Sequence, residues 1–112
     1  MQYSEDKIQQ EIIIFFRNNY CLKHHKPRYQ IFSVPNGGTR NKIEAIKLKS
    51  TGLLSGVSDL IVIMDRIIFI EVKTETGRQS PKQKDFEKIV KDLGYEYYLV
   101  RSLDEFKKII LC

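Results

Sequence analysis

The stretch Leu54-Ser-Gly-Val-Ser-Asp-Leu-Ile-Val-Ile-Met-Asp-Arg-Ile-Ile-Phe-Ile-Glu-Val-Lys73 decides the fold. Two β-branched runs flank Asp65-Arg66, the pattern of a hairpin. Both runs are apolar at successive positions, which predicts a hairpin in the middle of a sheet covered on both faces. Three charged residues stand where such a sheet would reject them: Asp59 at the start of the first strand, Glu71 and Lys73 at the end of the second. Side chains alternate along a strand, so residues 71 and 73 leave the same face. Whether Asp59 joins them depends on register. Asp59 and Glu71 lie equally far from Asp65 in the chain, so a loop centred on Asp65 sets them opposite one another. A two-residue turn at Asp65-Arg66 would instead put Leu60 opposite Glu71 and send Asp59 to the other face. An odd loop, Met64 to Arg66 or a little longer, is therefore expected. Opposed Cβ atoms are about 4.5–5.5 Å apart, close enough for two carboxylates to share one hard cation.

Outward from the hairpin, the chain alternates helices and strands. Ser4 or Asp6 can cap a first helix to about Asn19, with Ile8, Ile12, Phe15 and Phe16 as its buried stripe. Cys21–Arg28 is polar and holds Pro27, so it reads as a loop. Tyr29–Val34 reads as a strand, stopped by Pro35-Asn36-Gly37-Gly38. A second helix is expected from about Arg40 to Thr51, with Ile43, Ile46 and Leu48 toward the core and Gly52 as its stop. Beyond the polar stretch Thr74–Ser80, Pro81 suits the first turn of a third helix reaching about Leu93. Tyr95–Val100 predicts a last strand, its tyrosines packing residues, and Leu103–Leu111 a closing helix. The order is α-β-α-β-β-α-β-α in one domain, residues 1–112, without repeats or linker. The third helix should act as a crossover that sets the last strand parallel to Ile67–Lys73. The fold class is thus α/β, a mixed four-stranded sheet flanked by helices.

Burying a carboxylate and an ammonium beside apolar strands is unfavourable unless they pair or bind a metal. An ion pair of Lys73 with Glu71 or Asp59 at a sheet end is one way to satisfy them. A cation is the other: Mg²⁺ takes oxygen ligands and keeps several waters, leaving room for a phosphate and a nucleophilic water. Held by Asp59 and Glu71, it would polarise the phosphate and acidify a water, while Lys73 orients that water or stabilises charge on the phosphoryl oxygens.

Asp59 followed by Glu71-Val72-Lys73 after a hairpin resembles the PD-(D/E)XK nuclease signature, and more specifically a stand-alone VRR-NUC domain of phage and prophage type. The matching stretches are Ser4-Glu5-Asp-Lys-Ile8-Gln9, Pro35-Asn-Gly-Gly-Thr-Arg40, Gly56-Val-Ser-Asp-Leu60, Ile70-Glu-Val-Lys-Thr74, Ser80-Pro-Lys-Gln83 and Val100-Arg-Ser102. They follow the family's order over nearly the whole chain. The resemblance implies a restriction-endonuclease-like fold and a metal-dependent endonuclease using Mg²⁺ or Mn²⁺. It implies Asp59 and Glu71 as metal ligands joined by the main-chain carbonyl of Val72, and Lys73 as the motif lysine. Glu5 matches the first-helix acid that contributes to the metal site directly or through water. Gln83 matches a glutamine that supports the active site. Ser58 stands where many nucleases of the superfamily carry proline. Glu5 and Glu11 both flank the stripe of the first helix; Glu5 extends the run 5, 8, 9, 12 and is the one chosen.

The formal charge of +5 and a pI near 9.2 favour a polyanionic partner. Arg78, Lys82 and Lys84 adjoin the acids and are the electrostatic candidates for DNA contact. Asn36, Gly37 and Gly38 offer turn amides and Arg40 opens a helix, features that suit a phosphate. Lys42, Lys47 and Lys49 are spread by helical spacing and read as a solvated face. Cys21, His24 and His25 cannot close a tetrahedral zinc site without a second cluster, and the two cysteines read as reduced thiols. The run Ile12–Phe16 is too short to span a membrane and the first residues read as no signal peptide, so a cytoplasmic protein of a bacterium or phage-infected cell is expected. No organic cofactor is implied. A chain of 112 residues has little surface for reading bases, so recognition of DNA shape and backbone is expected. Stand-alone relatives resemble Holliday-junction resolvases, whose paired nicks need a homodimer. Nicking or flap cleavage, or a non-catalytic DNA-binding module on the same fold, are the alternatives.

Overall fold

The computed structural model describes residues 4–35 and 42–111. Its elements are α1 (Glu5–Tyr20), β1 (Gln30–Ser33), α2 (Lys42–Ser50), β2 (Leu60–Ile63), β3 (Ile67–Val72), α3 (Pro81–Asp92), β4 (Glu96–Val100) and α4 (Leu103–Ile110). This is the succession the pattern predicts, with ends shifted by a residue or two. Ser4 caps α1, its hydroxyl accepting from the Lys7 amide at 3.1 Å. The strands form one sheet in the order β1-β2-β3-β4. β2 pairs antiparallel with β1 and with β3, and β4 lies parallel to β3 after the α3 crossover.

The hairpin has the expected parity. Leu60 pairs with Ile70 and Ile63 with Ile67, leaving Met64, Asp65 and Arg66 as the loop. Alternation then sorts the sheet into two faces. Ile31, Leu60, Val62, Ile68, Ile70, Val72 and Val100 point to one face and share a core with Ile8, Ile12 and Phe16 of α1 and Phe106 and Ile110 of α4. Phe69 points the other way and meets Phe86 of α3 edge to face, which in turn meets Tyr97 of β4. Helices therefore lie against both faces.

Three expectations need correction. The second face is covered only in part: Phe32, Ile63 and Ile67 are 42%, 39% and 44% exposed. In α2, Ile43 and Ile46 are not core residues but exposed, and no other described helix or strand packs against α2. An apolar spacing creates a stripe; it buries it only where a partner surface lies within reach. Of the tyrosines, Tyr97 is buried while Tyr95 and Tyr98 are exposed. Among the described residues, no helix is long and apolar enough to cross a membrane.

Candidate active site

The site lies on the α3 face of the sheet, at the end where β2 begins and β3 finishes. Extending the β2–β3 register by one pair sets Asp59 opposite Glu71. A hydrogen bond fixes the geometry: Asp59 Oδ2 accepts from the main-chain N–H of Val72 at 2.8 Å. Asp59 is tied on its other side as well, since its carbonyl accepts from the Val34 amide at 2.9 Å. The side chain is thus held by the partner strand rather than by its own rotamer preference. Ser58 just before it is fully buried, its hydroxyl donating to the Leu60 carbonyl at 3.3 Å.

Glu71 is fully buried, and neither carboxylate oxygen has a hydrogen-bond partner. Burial, the largest cause, pushes its pKa up to about 9; the adjacent Asp59 carboxyl adds to the rise and the exposed Glu5 contributes, while Lys73 opposes them. Lys73, two residues along the same face, is 9% exposed. Its amide donates to the Val100 carbonyl at 3.0 Å, so the ladder with β4 extends to this residue.

Gln83 and Lys82 reach the site through a backbone approach. Gly56 has φ of +91°, and a Cβ there would collide with the main-chain carbonyl of Lys82. Only glycine lets this loop lie directly on the first turn of α3. A cleft of about 320 Å³ results, lined by Ser55, Gly56, Asp59, Ser80, Lys82 and Gln83 among others. Gln83 has a structural duty that spacing alone could have announced. Ser80-Pro-Lys-Gln83 is a capping box: Ser80 Oγ accepts from the Gln83 amide at 3.2 Å, and Gln83 Oε1 from the Ser80 amide at 2.8 Å. Arg78 and Lys84 are exposed. Asn36, Gly37, Gly38 and Arg40 lie outside the described residues.

Among the described residues, no three His, Cys, Asp or Glu side chains gather closely enough to hold a metal by themselves. Cys21, His24 and His25 form no such group. The acidic site nevertheless fits a hard cation in its donor chemistry. A sealed carboxylate with both oxygens unmatched is strongly disfavoured unless it takes a proton or meets positive charge, and a second carboxylate stands opposite. Tyr97 of β4 feels the charge of these acids. Burial raises its pKa, with Glu71 adding to the rise, and its oxygen accepts from Gln79 Nε2 at 3.2 Å.

A VRR-NUC domain model matches residues 4–104 of the chain. A solved structure described as a VRR_NUC domain protein aligns over 99% of this chain and 88% of its own, with a TM-score of 0.78 and 21% identity. At that identity the likeness is one of fold. No curated protein matches the chain.

Proposed function

The chain belongs to the VRR-NUC family, and on that footing we propose that it is a Mg²⁺- or Mn²⁺-dependent endonuclease hydrolysing phosphodiester bonds in DNA. Glu71 carries the reading: buried, unmatched at both oxygens, and facing Asp59 with Lys73 two residues on. Asp59 and Glu71 would hold the cation, joined by the Val72 carbonyl and by Glu5 directly or through water. When bound, such an ion supplies Lewis-acid charge to the scissile phosphate and acidity to water at the site. Lys73 offsets charge developing on the phosphoryl oxygens or orients the attacking water. Gln83, fixed by the cap of α3, supports the cleft wall beside Asp59. Lys82 on that wall, with Arg78 and Lys84, draws the DNA backbone toward the acids. Asn36, Gly37, Gly38 and Arg40 complete the proposed DNA contacts.

Structure-selective cutting of a Holliday junction is the preferred substrate reading, with nicking or flap cleavage next. Two matched nicks call for a homodimer, and the exposed Phe32, Ile63 and Ile67 offer apolar surface for a second copy. The test is cleavage of a labelled four-way junction beside a linear duplex, with Mn²⁺ and then with EDTA. Symmetric cuts confined to the junction are expected, lost with EDTA and reduced at least about 100-fold by Lys73→Ala. Equal cutting of both substrates would leave a nuclease of another preference. Tight binding without cutting would leave a non-catalytic DNA-binding module.

A further inference from the structure

Lys73 ends the β3 ladder, and the polar loop after it leads to α3. The chain's own means of holding that loop lies on the neighbouring strand. Arg101 directly follows Val100, whose carbonyl bonds the Lys73 amide. Its guanidinium turns back over the loop: Nη1 donates to the carbonyls of Thr74 at 2.6 Å, Gly77 at 2.7 Å and Glu75 at 3.3 Å. These carbonyls belong to a turn in which the Gly77 amide donates to the Thr74 carbonyl at 3.2 Å. The turn lies beside the lysine stem: a Cβ added at Gly77 would stand 3.5 Å from Lys73 Cδ and 3.0 Å from Thr74 Oγ1. Arg101 is anchored in turn, its amide donating at 2.7 Å to Glu105 Oε1 in the first turn of α4.

We infer that Arg101 is a positioning residue: it clasps the Thr74–Gly77 turn and so fixes the alkyl stem of Lys73 beside Glu71. Several hydrogen bonds from one cation to carbonyls of a single turn rigidify it more than exposed turn bonds do. All three bonds come from Nη1, so they occupy its two N–H groups and set the plane of the guanidinium over the turn. On this proposal Arg101 acts on the reaction through Lys73 and not through DNA affinity.

The catalytic part of this inference rests on the nuclease reading, so the test has two arms. In the first, Arg101→Ala is combined with Lys73→Ala, measuring cleavage and, in EDTA, DNA affinity. Arg101→Ala alone should lower kcat by about 10–100-fold, the scale of a small misplacement of a reacting group, with DNA affinity unchanged. Added to Lys73→Ala, it should change nothing further. An equal loss in both backgrounds, no loss in the wild-type background, or weakened DNA binding would overturn the proposal. Arg101→Lys, which keeps the charge and can reach part of the same carbonyl set, should recover some of the rate. The second arm needs no cleavage. Amide hydrogen exchange at Gly77 should quicken in Arg101→Ala while buried α1 amides such as Ile12 stay protected. Unchanged exchange at Gly77 would refute the clasp, whatever becomes of the nuclease reading.

Discussion

Glu71 sits with both carboxylate oxygens unmatched in a fully buried position, so its charge state governs the site at the scale of a single residue. Its pKa, pushed up to about 9 from 4.5 first by burial and then by Asp59, has a signed consequence for stability. In the unfolded chain the group ionises near its ordinary value; in the folded chain it keeps its proton well past that point. The folded state therefore binds the extra proton between these values, and stability falls as pH rises from about 4.5 toward 9. Below that window the burden is absent, and above it the burden is complete. Glu71→Gln should remove this slope, making the variant more stable than the parent near pH 8 by on the order of a few kcal/mol. Urea denaturation of both proteins at pH 5 and pH 8 without divalent ions would check it, and an unchanged difference between the two pH values would contradict it.

Among the elements, the β2–β3 hairpin and the start of α3 build the site. The hairpin was legible because strands alternate strictly: Asp59 and Glu71 share a face only if the loop has odd parity, and the structure has the three-residue loop Met64–Arg66. Charges misplaced in an apolar strand thus carried register information that propensity does not. The approach of α3 was not legible in the same way. Gly56 gives no sign in sequence that its missing Cβ admits the Lys82 carbonyl, because that contact joins segments far apart in the chain. Gly56→Ala meets both a positive φ and a backbone collision. It should destabilise by about 2 kcal/mol or more, and displace α3 from Asp59 enough to lower cleavage. Chemical denaturation and a cleavage assay on the same preparation would test both effects; a variant with parental stability would show that the contact is relieved without penalty. The Arg101 clasp escaped sequence reading for a related reason. The stretch Val100-Arg101-Ser102 marks the arginine by resemblance, but its carbonyl partners lie on a turn far back in the chain, which sequence does not show.

Across the whole molecule, sequence pattern located the elements and one core but not everything that covers them. The stripes of α1 and α4 close over one sheet face as expected, because adjacent strands present a matching apolar surface. The stripe of α2 meets no described element, and periodicity cannot say what lies opposite a stripe. The same holds for Phe32, Ile63 and Ile67, which keep the strand pattern and are nevertheless exposed. The acids, by contrast, are placed by the sheet as a unit: Asp59 from one strand, Glu71 and Lys73 from the next, all on the face that α3 borders. Coupling between this acidic pair and global stability follows, since a ligand that binds only the folded state stabilises all of it. The most direct measurement is the melting temperature of the wild-type chain and of Glu71→Gln at pH 8, titrated with Mn²⁺. A carboxylate pair built to hold a cation predicts that Mn²⁺ raises the wild-type melting temperature progressively and leaves Glu71→Gln unmoved. No rise in the wild type, or an equal rise in the variant, would contradict the assignment of Asp59 and Glu71 as the metal site.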